Sequence, residues 1–482
     1  MRSGGGRHRL PLVVAVLLLA VLALSACGSV VKGRAVSPLF DPDTAGGLPL
    51  NESPSGLRPD VAAPTMTVHG TDGSAADKLA TQSVEDIEDY WRGNFSRALS
   101  GTYRPVEDLY SYDSDDPRAP RICGEDTYHE VNAFFCTRGW LIAWDRTVMV
   151  PTVQKYFGDM AVPGLLAHEY GHAVQRMANL LGPSATVLVG EQQADCFAGD
   201  YLRWVAEGKS PRFTLGTGDG LNRVLAAVIT SRDPLLTPLD DPAEGHGTAL
   251  DRVDAFQTGF TSGAAACAAI SAESIQHRRD DLPDSLQPGA AVFAADSPID
   301  EQSITGLFAA LGGFFSPQSQ PTVSYAAAIC AGTESTTPVS YCPASNTVFV
   351  DLAGLQKLGE PGDEFHDLVL LQGTNTAMSA LISRYVLAVQ TDRGLPATST
   401  QTALRTACLT GAAERHLAES TDPALVLSSK SIDEAVAGLL ANGLTASDAA
   451  GKTVPAGFNR IGAFRAGLSS TAADSCYSDF PA

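Results

Sequence analysis

Positive charge is scarce in this chain: 33 Lys and Arg stand against 54 Asp and Glu, a formal net charge of -21 over 482 residues. Such a surface repels phosphate backbones and anionic headgroups, so no nucleic-acid partner is expected, nor membrane adhesion through the protein surface itself. An apolar run of full membrane length is also missing at the start. Leu10 to Leu24 is apolar but shorter than the roughly 20 residues a spanning helix needs. Preceded by Arg2, Arg7 and Arg9, it has the two regions of an export signal. It ends in Leu24-Ser25-Ala26-Cys27, which resembles a lipobox, where cleavage leaves an acylated Cys27 as the new N-terminus. The expectation is a lipid-anchored protein at the extracytoplasmic face of the cell membrane. Periodic apolar content is the third absence. From Gly28 to about Ala76 the chain is rich in Gly, Pro, Ser, Asp and Thr, which reads as a tether. Beyond it, a hydrophobic fraction of 44% over the chain supports real cores, and the length favours two or three domains.

Nine cysteines are present, one of them the lipidation candidate Cys27. The other eight are an even number in an exported chain and suggest four disulfides. Cys123, Cys136, Cys196 and Cys267 lie in the first half, at intervals of 13, 60 and 71 residues. Cys330, Cys342, Cys408 and Cys476 lie in the second, at 12, 66 and 68. Two sets this similar point to an internal repeat.

The residues around the cysteines extend the match. Trp140-Leu141-Ile142-Ala143-Trp144-Asp145 and Thr347-Val348-Phe349-Val350-Asp351 both look like a strand after a cysteine. His168-Glu169-Tyr170-Gly171-His172-Ala173-Val174-Gln175 lies over Ser383-Arg384-Tyr385-Val386-Leu387-Ala388-Val389-Gln390. Cys196-Phe197-Ala198-Gly199 lies over Cys408-Leu409-Thr410-Gly411, and the Arg252 segment over the Arg460 segment. The reading is one domain present twice in tandem.

The first copy alone carries H-E-x-x-H. Positions i and i+4 stack on one face of a helix, so His168 and His172 can present two imidazoles to one metal ion, with Glu169 beside them. The helix is expected to stop at Leu181-Gly182-Pro183, and a second to run from about Thr186 to Glu207. That second helix puts Glu191 in reach as a third metal ligand and Asp195, four residues on, behind a ligand imidazole. In the second copy Ser383, Arg384 and Leu387 replace the motif, and Ala403 and Ala407 replace the acids. The residues that could bind metal disappear together. Tyr170, Gln175 and Arg252 persist as Tyr385, Gln390 and Arg460, and are therefore read as packing residues. Gly199 is expected to allow close approach to the motif helix. His246, in Glu244-Gly245-His246-Gly247-Thr248, is a candidate hydrogen-bond donor to an oxyanion. His129, His277, His366 and His416 have no comparable setting.

These motifs together, H-E-Y-G-H-x-V-Q, E-x-Q-A-D-C-F-A-G, H-G-T-x-x-x-R and F-x-x-G-F-x-x-G, resemble the bacterial neutral zinc metallopeptidase family over roughly Asp86 to Cys267. With the lipobox and the long C-terminal extension, the whole chain is similar to actinobacterial lipoprotein peptidases. The resemblance implies zinc on His168, His172 and Glu191 with Glu169 catalytic. The fold expected is α+β and helix-rich, a zincin-like metallopeptidase domain with a degenerate second copy. The expected organisation is a signal over residues 1–26, a tether over 27–80, a metallopeptidase domain over 81–275, a linker over 276–295 and a non-catalytic repeat over 296–482. The expected function is zinc-dependent hydrolysis of a protein or peptide substrate, with Glu169 as general base. The alternative is a binding or assembly lipoprotein whose metal site is structural or vestigial.

Overall fold

A computed structural model describes residues 41–481 except 234–240, 242, 289–297, 331–334, 363–369, 371 and 421–426. The signal, Cys27 and His366 lie outside the described residues. The architecture is α+β and helix-rich. In the first half, helix α1 (Ala75–Ala98) lies in the chain between β1 (Val68–His69) and the other strands of a four-stranded sheet, β2 (Asp108–Tyr112), β3 (Ala133–Cys136) and β4 (Leu141–Asp145). The strand order is β1-β2-β4-β3; β2 and β4 are parallel, and β3 runs antiparallel at the edge. Helices α2 (Met149–Phe157), α3 (Ala161–Ala178), α4 (Val187–Ala206), α5 (Asp219–Thr230), α6 (Ala249–Ser262) and α7 (Ala272–Asp280) follow.

The second half begins with α8 (Glu301–Phe315) and a three-stranded sheet of β5 (Thr322–Ser324), β6 (Val339–Cys342) and β7 (Thr347–Val350). Its order is β5-β7-β6, again a parallel pair with an antiparallel edge strand. The principal helices are α9 (Thr374–Asp392), α10 (Thr400–Ala418), α11 (Ser429–Ala441) and α12 (Gly457–Leu468). Four disulfides join Cys123 to Cys136, Cys196 to Cys267, Cys330 to Cys342 and Cys408 to Cys476, all within one half or the other.

The stretch expected to be a tether is, where described, laid onto the folded part. Thr44–Ala45 pairs with Leu48–Pro49, and Gly56–Leu57 pairs with Phe213–Thr214. The Glu85 carboxylate accepts from the backbone of Met66 at 2.7 Å, and Asn51 N–H donates to Thr217 Oγ1 at 2.9 Å. These small polar residues hold the segment through side-chain-to-backbone bonds, which apolar periodicity does not report. Ser74 caps α1, so ordered helix starts before residue 81. The expected linker is likewise packed in part: Arg279 pairs with Asp251 at 2.8 Å, and Leu286 is buried. Helix α3 stops at Ala178, short of Leu181, because Asn179 adopts the left-handed conformation (φ 51°, ψ 48°) and ends it.

Gly199 makes its close approach to α6 rather than to the motif helix. A Cβ there would sit 2.2 Å from the Phe256 carbonyl oxygen, while Gly259 of α6 abuts the Cys196 carbonyl. Gly411 meets the Phe464 carbonyl, and Gly467 meets that of Cys408, in the same way between α10 and α12. It is Gly171 that brings α3 against α4, 2.9 Å from Ala194 Cα by the same measure. Gly199→Ala should therefore lower the denaturation midpoint, at a cost of about 1–3 kcal/mol for overpacking. Gly93→Ala, a helical position with open space around it, should instead raise stability by about 0.5–1 kcal/mol. Equal behaviour of the two variants would remove the close-approach account.

The two halves share one compact unit. Arg465 reaches Asp254 at 2.6 Å, the Gln257 amide donates to the Phe458 carbonyl, and the rings of Phe260 and Phe458 lie 5.5 Å apart. Among the described residues, no helix is long and apolar enough to cross a membrane.

Candidate metal centre

The site is assembled where α3 and α4 cross. Helical spacing puts His168 and His172 on the same face of α3, and their rings lie 5.0 Å apart. Thr186 caps α4 through the Val189 N–H and starts the helix that carries Glu191 and Asp195. Glu191 Oε2 is 3.1 Å from His168 Nε2, and Oε1 is 3.5 Å from His172 Nε2. One ligand atom from each of His168, His172 and Glu191 lies within 4.8 Å of the others, a group able to hold a metal ion. Two imidazoles and a carboxylate are a donor set that suits zinc and leaves a fourth position open. The residues present fit such an ion.

The support is as specific as the ligands. His168 Nδ1 is 2.8 Å from Asp195 Oδ1, so a carboxylate fixes that ring and leaves Nε2 toward the centre. Asp195 is itself clamped by Arg252, whose Nε and Nη2 donate to its two oxygens at 2.8 and 2.6 Å. A third arm of the guanidinium donates to the Ser231 carbonyl. On the other ligand, His172 Nδ1 is 3.1 Å from Gln175 Oε1, while the Gln175 amide nitrogen donates to the Gly190 carbonyl. Arg252 and Gln175 therefore do more than pack, although Arg460 and Gln390 persist in the second half, where the described residues hold no metal set. Their counterparts explain this: Arg460 donates to the Leu439 and Pro455 carbonyls, and Gln390 to Thr406. The same side chains brace helices in both halves.

Burial disfavours a charged His168, but Asp195 and Glu191 overcome it and hold its pKa up to about 10. Burial likewise pushes Glu191 and Asp195 upward; the neighbouring imidazoles, His168 foremost, reverse this for Glu191, and Arg252 with His168 reverses it for Asp195, bringing each down to about 2. Metal and proton consequently compete for His168 Nε2.

Glu169 faces the same opening. Its Oε2 accepts from the Phe135 N–H at 3.0 Å, on the free side of edge strand β3. His246 is half exposed at the rim, with Nε2 3.5 Å from Glu191 Oε2. Asp233, a residue with no motif to mark it, holds the His246 loop: its carboxylate accepts from the His246 and Gly247 N–H groups at 2.7 and 2.8 Å. The second half contributes Asp433 of α11, which accepts from Arg232 Nε at 3.2 Å and Ala249 N–H at 2.9 Å. Both ends of the segment that carries Asp233 and His246 are thereby tied to the second half.

A pocket of about 200 Å³ opens beside His168 and Glu169 and reaches between α2 and α5. His129, His277 and His416 are exposed and are not part of the group that could hold a metal. Arg384, which lies over Glu169 in the sequence comparison, is fully buried and donates to Ser447 Oγ and the Leu444 carbonyl at 2.5 Å and to the Asp448 carbonyl at 3.2 Å. Among the described residues, no second group of His, Cys, Asp and Glu side chains is arranged for a metal. No protein-family model, no curated protein and no solved structure matches the chain.

Proposed function

We propose that the protein is a zinc-dependent peptidase, held by a lipid on Cys27 at the outer face of the cell membrane. The observation that carries the reading is the convergence of His168, His172 and Glu191, with Glu169 outside that group but lining one pocket with His168. Bound zinc would supply Lewis-acid chemistry, acidifying water and polarising a carbonyl. Glu169 is the base that takes the proton of the attacking water and passes it to the leaving amine. Edge strand β3 lies beside Glu169, and an extended peptide can add to its free side, where the Phe135 N–H now donates to Glu169 and the Ala133 N–H to Asn132 Oδ1. His246, at the rim with Nε2 3.5 Å from Glu191 Oε2, is the candidate hydrogen-bond donor to the developing oxyanion.

The proposal extends to the whole chain as two copies of one zincin-like domain, of which the second has lost the chemistry. The matched sheet orders, the paired disulfide spacings and the reciprocal glycine contacts support this reading. The second copy then acts as a scaffold, since α11 and α12 cover α5 and α6 and Asp433 anchors the segment bearing His246. Comparing cleavage products in the exported fraction of cells carrying the wild-type chain or Glu169→Gln tests the activity. Fragments present only with the wild type are expected; identical peptide sets would count against it.

A further inference from the structure

The pocket next to Glu169 has a composition that the metal chemistry does not require. Met149, Val153 and Phe157 of α2 form one wall, and Leu165 of α3 with Val224 and Val228 of α5 form the other. The charged groups that line it are those of the centre itself: His168, Glu169, Asp195, Arg252 and His246. Asp195 and Arg252 already neutralise each other. Asn132, Thr230 and Ser231 also line the pocket but carry no charge, so an ionised side chain laid against the apolar residues would lack a counter-ion there, and an unpaired charge is costly to bury. Size argues in the same direction. A dry cavity of about 150 Å³ admits a benzene ring, and this one measures about 200 Å³.

Resting on the peptidase reading above, we propose that this pocket is a specificity subsite. It takes one large uncharged side chain, aliphatic or aromatic, from the residue flanking the scissile bond. The substrate class is then a protein or peptide cleaved next to Phe, Leu or a similar residue, with Asp, Glu, Lys and Arg rejected at that position. Ala227 lies on α5 between Val224 and Val228, lines the pocket and is not one of the residues grouped for the metal. Its side chain sets the depth available, so enlarging it should shorten the pocket and leave the centre intact.

The test uses the full chain in detergent, loaded with zinc, and peptides that differ only in the residues flanking the cleaved bond. At one of the two positions kcat/KM should favour Phe or Leu over Ala by at least about tenfold, the usual scale for apolar pockets, and should fall further for Asp and Lys. Ala227→Phe should reverse the Phe-over-Ala preference with unchanged zinc content. Val228→Thr, which keeps the shape and adds a hydroxyl, should weaken it and serves if the larger residue prevents folding. Binding of N-acetyl-phenylalaninamide to the Glu169→Gln chain, followed by NMR, reads the pocket without turnover, and Ala227→Phe should abolish it. Cleavage with no preference between Phe, Ala and Asp would overturn the subsite and leave the peptidase intact. Absence of zinc-dependent cleavage, with the amide still bound and displaced by Ala227→Phe, would overturn the peptidase and keep the apolar site. Loss of both would overturn both.

Discussion

Glu169→Gln is expected to retain its metal and lose between about 10²- and 10⁴-fold in kcat, the usual contribution of a general acid–base group. The two halves of that expectation have separate structural grounds. Metal retention follows because Glu169 lies outside the His168, His172 and Glu191 group. Loss of turnover follows because an amide cannot take the proton of water, while it keeps an oxygen for the Phe135 N–H that the carboxylate now accepts. The variant should therefore fold normally. Parallel measurement of zinc content and of kcat on one peptide checks both halves, and a variant with wild-type turnover would refute the role of Glu169.

The largest stability effect should come from Arg252. Its guanidinium and the Asp195 carboxylate are almost fully buried, with side-chain exposures of 4% and 1%. Removing one partner of such a pair strands the other charge, at a cost of about 3–5 kcal/mol. Arg252→Met should lower the urea midpoint by a margin well beyond that of Gly199→Ala. It should also release Asp195 from the geometry in which it fixes His168, and loss of such support typically lowers metal affinity about 10- to 100-fold. Urea denaturation and a zinc-competition titration read the two effects independently. Unchanged values in both would mean that the clamp seen at 2.6 and 2.8 Å carries no energy.

Much of the centre was legible in the sequence because helical periodicity alone places its members. His168 with His172 and Glu191 with Asp195 are each spaced by four residues, and α4 begins and ends within a residue of the expected Thr186 and Glu207. The strands after Cys136 and Cys342 are also where alternation predicts them. What escaped notice depends on long-range contacts without local period. Arg252 lies 57 residues from Asp195 in the chain, and Asp433 lies 184 from Ala249. Persistence of Arg460 and Gln390 in the second half suggested packing alone, whereas one guanidinium or amide can both brace helices and orient a ligand. The tether expectation failed for residues 41–80 for a related reason: Thr, Asn, Ser and Asp held by backbone bonds have no apolar signature. Gly199 in mid-helix predicts a close approach, but not its partner, since α3 and α6 both pack on α4.

The second half changes how the site should be regarded. Its α11 supplies Asp433 to Arg232 and to the first turn of α6, and Arg465 of α12 reaches Asp254 on that helix. The helix that presents Arg252 to Asp195 is therefore held from the far side by residues of the half without a metal set. This arrangement gives the second half a physical task that its own lack of ligands does not diminish.

The central claim is that one metal centre exists and is formed by His168, His172 and Glu191. Its most direct test is the metal content of the purified full chain, by mass spectrometry, after zinc loading and removal of loosely bound ions. One zinc per chain is predicted for the wild type, and none for a chain carrying both His168→Ala and His172→Ala with its four disulfides intact. Two zinc ions per wild-type chain, or one retained by the double variant, would contradict the account.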